Sequence, residues 1–305
     1  MSRGTTDRTL FDRLPGFDLS RALLYLLILF FVAFFLVPLE TGLMTAFKTT
    51  QGVTNTLPFF PPLGEAFTFQ KWVDAFDMLG RGLVNSMVLT VPATLLCLLF
   101  GSTAAYGLTL INWRGQIFVL VLFLIGIFIP YQAVLVPLSR FWSMVPLEEW
   151  LSPLYVLSFV QPEHAQLVEL IITDAAYGIP ICTLLFRGYY LSLPGDLIEA
   201  AKLDGASVTS IYRRIVLPLS TPMIGVVFIY QFTQIWNEFL FTLTIVGSAD
   251  SPAAPVTLIL SGLGSSLSGV DFGMRMAGAF IAALPTLVIY VLFAEQFAEG
   301  LETGG

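Results

Sequence analysis

Along this chain the informative pattern is where charge is missing. Residues 22–39, 82–113, 115–139, 215–237 and 276–294 contain no Asp, Glu, Lys or Arg. An ionised side chain in hydrocarbon is costly, and a helix needs about 20 mostly apolar residues to cross a bilayer. The pattern therefore predicts five spanning helices, over 22–44, 84–110, 117–139, 219–245 and 277–298. A sixth, over 167–190, is apolar overall but holds Glu169, Asp174 and Pro180. It is needed if both ends of the chain are to lie on one side of the membrane. The apolar run 151–160 is too short to cross. The first span is expected to be a membrane helix, not a cleaved leader. Four arginines and three aspartates precede it, and Pro38 and Glu40 end it where a small-residue cleavage pattern would stand.

Composition narrows the class. Of the 305 residues 56% are hydrophobic and only 11% are charged, against roughly 25% charged in ordinary soluble domains. That excludes a soluble enzyme, a disordered regulator and a disulfide-stapled secreted protein. The net charge of −7 offers no basic footprint for nucleic acid. The three lysines, Lys48, Lys71 and Lys202, follow no glycine-rich stretch, so no phosphate-cradling loop can be built from them. If ATP and Mg take part, a partner chain binds them; no cofactor is expected on this chain. One histidine, His164, and two cysteines, Cys97 and Cys182, cannot assemble a metal site of the usual kind. The cysteines lie in apolar runs and read as small buried hydrophobes. Trp113, Trp142, Trp150 and Tyr155 fall at span ends, as aromatic residues of an interfacial belt do. Nine of the fourteen Lys and Arg residues fall on the side that holds the N-terminal segment 1–21 and the C-terminal tail 299–305. The positive-inside rule then places both termini in the cytoplasm.

One loop on that side, 192–218, is built differently from the rest. Pro194 suits a first helical turn, and Asp196 and Glu199 favour a helix N-terminal half. Asp204-Gly205 stops this helix, with Gly205 free to take a left-handed conformation. Ser207 can cap a second helix, which is expected to run through Ile211, Tyr212 and Ile215 and end before Pro218. The first helix places Leu197, Ala200, Ala201 and Asp204 on one face, where small side chains permit close approach of a partner. A helix lying on the membrane surface uses similar residues.

The run Glu199-Ala200-Ala201, then Gly205, then Ile215, Leu217 and Pro218 resembles the EAA loop of the permeases of prokaryotic ATP-binding-cassette importers. Gly188-Tyr189-Tyr190, Ser192 and Pro194 lead into it as in the sugar-uptake branch. Trp236-Asn237-Glu238-Phe239-Leu240 and the tail Gly300-Leu301, Thr303-Gly304-Gly305 are similar to that branch's signatures, in the type represented by the maltose-transporter G subunit. The stretch 148–169 is longer than in the usual form. The resemblance implies an all-α membrane protein with six transmembrane helices, 22–298, and a coupling loop between helices 4 and 5. It implies that Glu199, Ala200, Ala201, Asp204, Gly205 and Ser207 form the surface that docks on an ATPase. The implied partners are a second, non-identical permease, two ATPase subunits and an extracytoplasmic sugar-binding protein in a prokaryotic cell membrane. This chain would catalyse no covalent step.

Polar groups at membrane depth face a bundle interior or a water-filled path. Tyr131 and Gln132 in the third span, and Tyr230, Gln231, Gln234, Trp236, Asn237 and Glu238 in the fifth, offer amides, a carboxylate and aromatic faces suited to a sugar. The same groups could hold helices together. Glu238 could also form an ion pair at the outer interface. A proton- or sodium-coupled secondary transporter, with Glu238, Asp174 and Glu169 as carriers, is the competing class. It gives the 192–218 loop no task, and no internal repeat of the kind such transporters show is found. The outer segment 255–263 reads either as a short helix meeting a binding protein or as a flexible connector.

Overall fold

The computed structural model describes residues 19–158, 160–266 and 269–294. In chain order the α-helices are α1 (Leu19–Ala46), α2 (Thr50–Asn55), α3 (Gln70–Thr109), α4 (Gln116–Phe128), α5 (Tyr131–Trp142), α6 (Leu147–Leu151), α7 (Ala165–Ser192), α8 (Gly195–Leu203), α9 (Val208–Ile211), α10 (Leu217–Leu219), α11 (Thr221–Trp236), α12 (Leu240–Ile245), α13 (Val256–Gly262) and α14 (Phe272–Leu292). A small hairpin, β1 (Ser265–Ser266) antiparallel to β2 (Gly269–Val270), is the one sheet among the described residues. The tail signature at 300–305 and most of the N-terminal segment lie outside the described residues.

Leu23–Ala46, Gln70–Thr109, Pro162–Ser192 and Phe272–Leu292 are each long and apolar enough to cross a membrane. Two bent pairs bring the number to six if each is one span. The weak sixth segment, around 167–190, is thus among the long helices.

The expected straight helix over 117–139 is instead α4 and α5, bent by 100°. Pro130 has no N–H to give and biases the residue before it away from helix; Ile129 is extended, at φ −74° and ψ 116°. The Tyr177 hydroxyl donates to the Ile129 carbonyl at 2.6 Å, pairing a group near the break. Two span boundaries also move. Helix α3 starts at Gln70, well before 84, and α14 runs from Phe272 to Leu292 where 277–298 was expected. Lys71, Asp74, Asp77, Arg81 and Arg275 sit on helical turns beyond the uncharged stretches, so counting charge cuts both helices short. The 40 residues of α3 make a rod of about 60 Å, twice the roughly 30 Å of hydrocarbon.

Helix α3 is the central post, with α7, α11, α13 and α14 packed on it. The α3–α7 seam is made of small residues, which lets backbones approach closely. A Cβ on Gly101 would stand 2.7 Å from the Cβ of Cys182. Ala93, Cys97 and Ala105 are fully buried there. Both cysteines are free and buried, in line with their reading as hydrophobes. Helix α13 is no flexible connector. The Asn85 side-chain amide donates to the carbonyls of Pro252 (2.7 Å) and Ala254 (3.0 Å), and the Ser86 hydroxyl accepts from the Val256 N–H at 2.8 Å. Lys71 at the start of α3 pairs with Asp271 at the start of α14. Trp142 is no interfacial belt residue: it is buried, and its ring N–H donates to the Thr173 hydroxyl at 3.0 Å. Helix α1 differs from all of these. Every residue from Leu23 to Leu39 is exposed, and contact comes at its far end, where Gly42 meets Met276 and Phe280 of α14.

Candidate functional site

Two regions carry the sequence-predicted residues. The first is the loop 192–218. Pro194 is the N-cap of α8, not its first helical residue. The helix ends in a left-handed glycine cap, as expected. Gly205 has φ +74°, its N–H donates to the Lys202 carbonyl, and the Ala206 N–H donates to the Ala201 carbonyl. These two bonds satisfy carbonyls that a helix end otherwise leaves unpaired. The Ser207 hydroxyl accepts from the Ser210 N–H at 3.2 Å and so caps α9. Glu199, Ala200, Asp204, Gly205 and Ser207 are exposed, Ala201 is half-buried, and Ile198 turns inward. Leu197 and Leu203 are exposed as well, Leu203 to 88%. A loop with a fixed backbone therefore presents an acidic and apolar ridge to the outside.

The second helix of this loop does not stop before Pro218. It continues as a wide π-turn, Tyr212–Val216, and then α10. The Leu217 N–H reaches back five residues to the Tyr212 carbonyl. The opened turn accommodates Pro218, which has no N–H and would crowd an ordinary preceding turn. The chain then bends by 75° between Leu219 and Thr221.

The second region is a cleft of about 40 Å³ between α5, α7 and α11. Tyr131, Gln231, Gln234 and Glu238 line it together with Asp174, Tyr177 and Tyr230. Gln231 is buried there because Gly178 has no side chain: a Cβ would lie 2.2 Å from the Gln231 Nε2. Asp174 is 4% exposed, and its Oδ2 has no hydrogen-bond partner among the described residues. Tyr131, Tyr177 and Phe241 form a ring cluster with centroids 4.7–5.2 Å apart. Glu238 makes no ion pair among the described residues. Its carboxylate caps the start of α12 by accepting from the backbone N–H groups of Phe241 (2.7 Å) and Thr242 (3.1 Å), just past the break that ends α11.

Three predicted residues stand apart from the cleft. Trp236 is buried on the opposite side, stacked on Phe232, and its ring N–H donates to the Ala282 carbonyl of α14 at 2.9 Å. The Asn237 side chain donates to the Thr233 carbonyl. Gln132 is exposed on α5. Tyr177 was missed by sequence reasoning, which had no signal that α7 would face α5. Asp174 carried a signal, a carboxylate in an apolar segment, but nothing in its own segment tied it to Gln231.

Comparison with known proteins shows the family. Residues 97–295 match the family described as "binding-protein-dependent transport system inner membrane component". The chain belongs to this family of membrane permeases, in the carbohydrate-uptake branch of the ATP-binding-cassette importers. It is 58% identical, over 94% of its length and 93% of the relative's, to the xylose/arabinose import permease protein XacI of Haloferax volcanii. It is 37% identical to a probable ABC transporter permease of Pyrococcus horikoshii, over 93% and 96% of the two chains. Its fold matches a bacterial ABC transporter involved in import of the acidic polysaccharide alginate, with TM-score 0.66 and 16% identity over 96% of this chain and all of that one.

Proposed function

We propose that this chain is one of two non-identical membrane subunits of an importer for an uncharged sugar, working by alternating access. A binding protein delivers the sugar at the outer face. Two ATPase subunits, which hold ATP and Mg, close and reopen beneath the membrane. The loop 192–218 moves with one of them and passes that motion to the spans. Six crossings, with α4–α5 as one and α11–α12 as another, leave both termini on one side, and the excess of Lys and Arg on that side makes it the cytoplasm of a prokaryotic cell.

The observation that carries this reading is the α8–α9 turn. Its backbone is locked at Gly205 while the side chains of Glu199, Ala200, Leu203 and Asp204 face outward, and neither carboxylate has a hydrogen-bond partner among the described residues. A rigid, unpartnered ridge of this kind suits a surface received by another protein. The cleft supports the sugar class. Its lining holds two carboxylates, two amides and three tyrosines, and no Lys or Arg. Such groups accept from and donate to hydroxyls, and they repel anions. A neutral sugar suits the chemistry of this lining better than an acidic one does, and the xylose and arabinose in the Haloferax relative's name are neutral.

The test is affinity purification of the tagged chain from solubilised membranes. A P-loop ATPase and a second permease should co-purify, and Glu199→Lys should release the ATPase while the second permease stays. Recovery of the chain alone, still active in proton- or sodium-driven uptake, would sink the proposal.

A further inference from the structure

Between the docking ridge and the membrane core the chain passes through three weak points in series. These are the π-turn Tyr212–Val216, Pro218, and the 75° bend after Leu219. Each loosens the helical ladder. In series they form a compliant joint, and a compliant joint absorbs motion that the loop should deliver.

Hydroxyl groups tie the joint to α3 and α7 at two points. At its first residue, the Tyr212 hydroxyl lies 2.8 Å from the Ser102 Oγ of α3, and Ser102 lies 2.6 Å from the Tyr190 hydroxyl of α7. Ser102 and Tyr190 are 3% and 1% exposed, so the bond between them faces no competition from water, while Tyr212 is half-buried. The Tyr106 hydroxyl of α3 donates to the Val208 carbonyl of α9 at 2.9 Å, and its ring packs on that of Tyr212 with centroids 5.1 Å apart. Past the π-turn and Pro218, on the near side of the bend, the Tyr189 hydroxyl donates to the Leu219 carbonyl at 2.8 Å. Adjacent tyrosines at the end of α7 thus hold the chain on either side of the π-turn's last residues and Pro218, Tyr190 through Ser102 at Tyr212 and Tyr189 directly at Leu219.

We infer that Tyr189, Tyr190, Ser102 and Tyr212 form a clamp that makes the coupling loop and the ends of α3 and α7 one rigid body. Ser102 is the centre of it, because one serine hydroxyl can donate once and accept from the other partner. The inference rests on the docking role proposed for the loop. These are positioning residues, acting through the joint and touching neither sugar nor nucleotide.

The experiment places spin labels at Thr209→Cys on α9 and Ala176→Cys on α7 in the assembled importer. Both positions are exposed, and the native Cys97 and Cys182 are fully buried. With the clamp intact, the label–label distance is narrow and does not change when a non-hydrolysable ATP analogue is added. In Tyr190→Phe and Tyr212→Phe, which delete one oxygen each, the distribution broadens and shifts with nucleotide. Ser102→Thr keeps the hydroxyl and restores the narrow distribution, whereas Ser102→Ala does not. A role confined to assembly would lower the yield of complex without changing the width. Narrow distributions in both Phe variants, or a nucleotide-dependent shift in the unmodified loop, would overturn the clamp. The width comparison needs no nucleotide, so it decides the clamp even if the Glu199→Lys purification goes against the docking role.

Discussion

Glycine does two separate jobs in this chain, and each yields a prediction. Gly205 is required by its backbone, at φ +74°. A residue with a Cβ pays roughly 1–2 kcal/mol in that conformation, and a β-branched one meets the upper end. Gly205→Val should weaken retention of the ATPase by about tenfold, since 1.4 kcal/mol corresponds to one decade. Titration of the purified ATPase onto the membrane subunits measures it. Gly178 is required by space. A Cβ there would stand 2.2 Å from Gln231 Nε2 and 2.6 Å from Cys97 Sγ. Gly178→Ala should lower the unfolding free energy in detergent by about 1–3 kcal/mol, the usual cost of overpacking. An unchanged thermal midpoint would show that α7 and α11 are not packed as described.

At the level of elements, the sequence was legible wherever a local rule decides the outcome. The stop at Gly205 and the cap at Ser207 need only neighbouring residues, and both stand as expected. The apolar segments were legible because water-to-hydrocarbon transfer penalises charge over a whole helix. Breaks within such segments were not, because a straight helix and a bent pair share one composition. Pro130 was visible, but a proline kinks some helices and ends others. What decides between them is the Tyr177 hydroxyl on the Ile129 carbonyl, a contact made by a distant segment. Tyr177→Phe should therefore cost about 1 kcal/mol and speed hydrogen exchange at the α4–α5 junction, while leaving exchange in α14 as it was. The cleft was half legible for the same reason. Gln231, Gln234 and Glu238 come from one span, whereas Asp174 and Tyr177 reach it only through the α7–α11 packing.

Across the whole molecule, helices of very different burial share one chain. In α3 and α7 many residues are buried, on a seam that a lipid-exposed helix does not need. Van der Waals packing of small residues supplies that association, because lipid offers no hydrophobic drive between helices. Cys97 and Cys182 report on the seam directly. A membrane-permeant maleimide should leave both unmodified in the native complex and label both after denaturation in detergent. Labelling of either one in the native state would mean that α3 and α7 separate during the transport cycle.

The glycine cap at the end of α8 also bears on how such a subunit can change partners. Backbone bonds at Lys202, Ala201 and Gly205 hold the turn, so the outward side chains of Leu197, Ala200, Leu203 and Asp204 carry little of the burden of keeping it folded. Those four positions are free to drift, and to drift in step with the protein they meet, while the hinge of the ridge stays as it is. Shape and identity are assigned to different atoms. On the docking role proposed for this ridge, a permease made this way would be re-addressed to another ATPase by a few surface substitutions, with its membrane core left untouched.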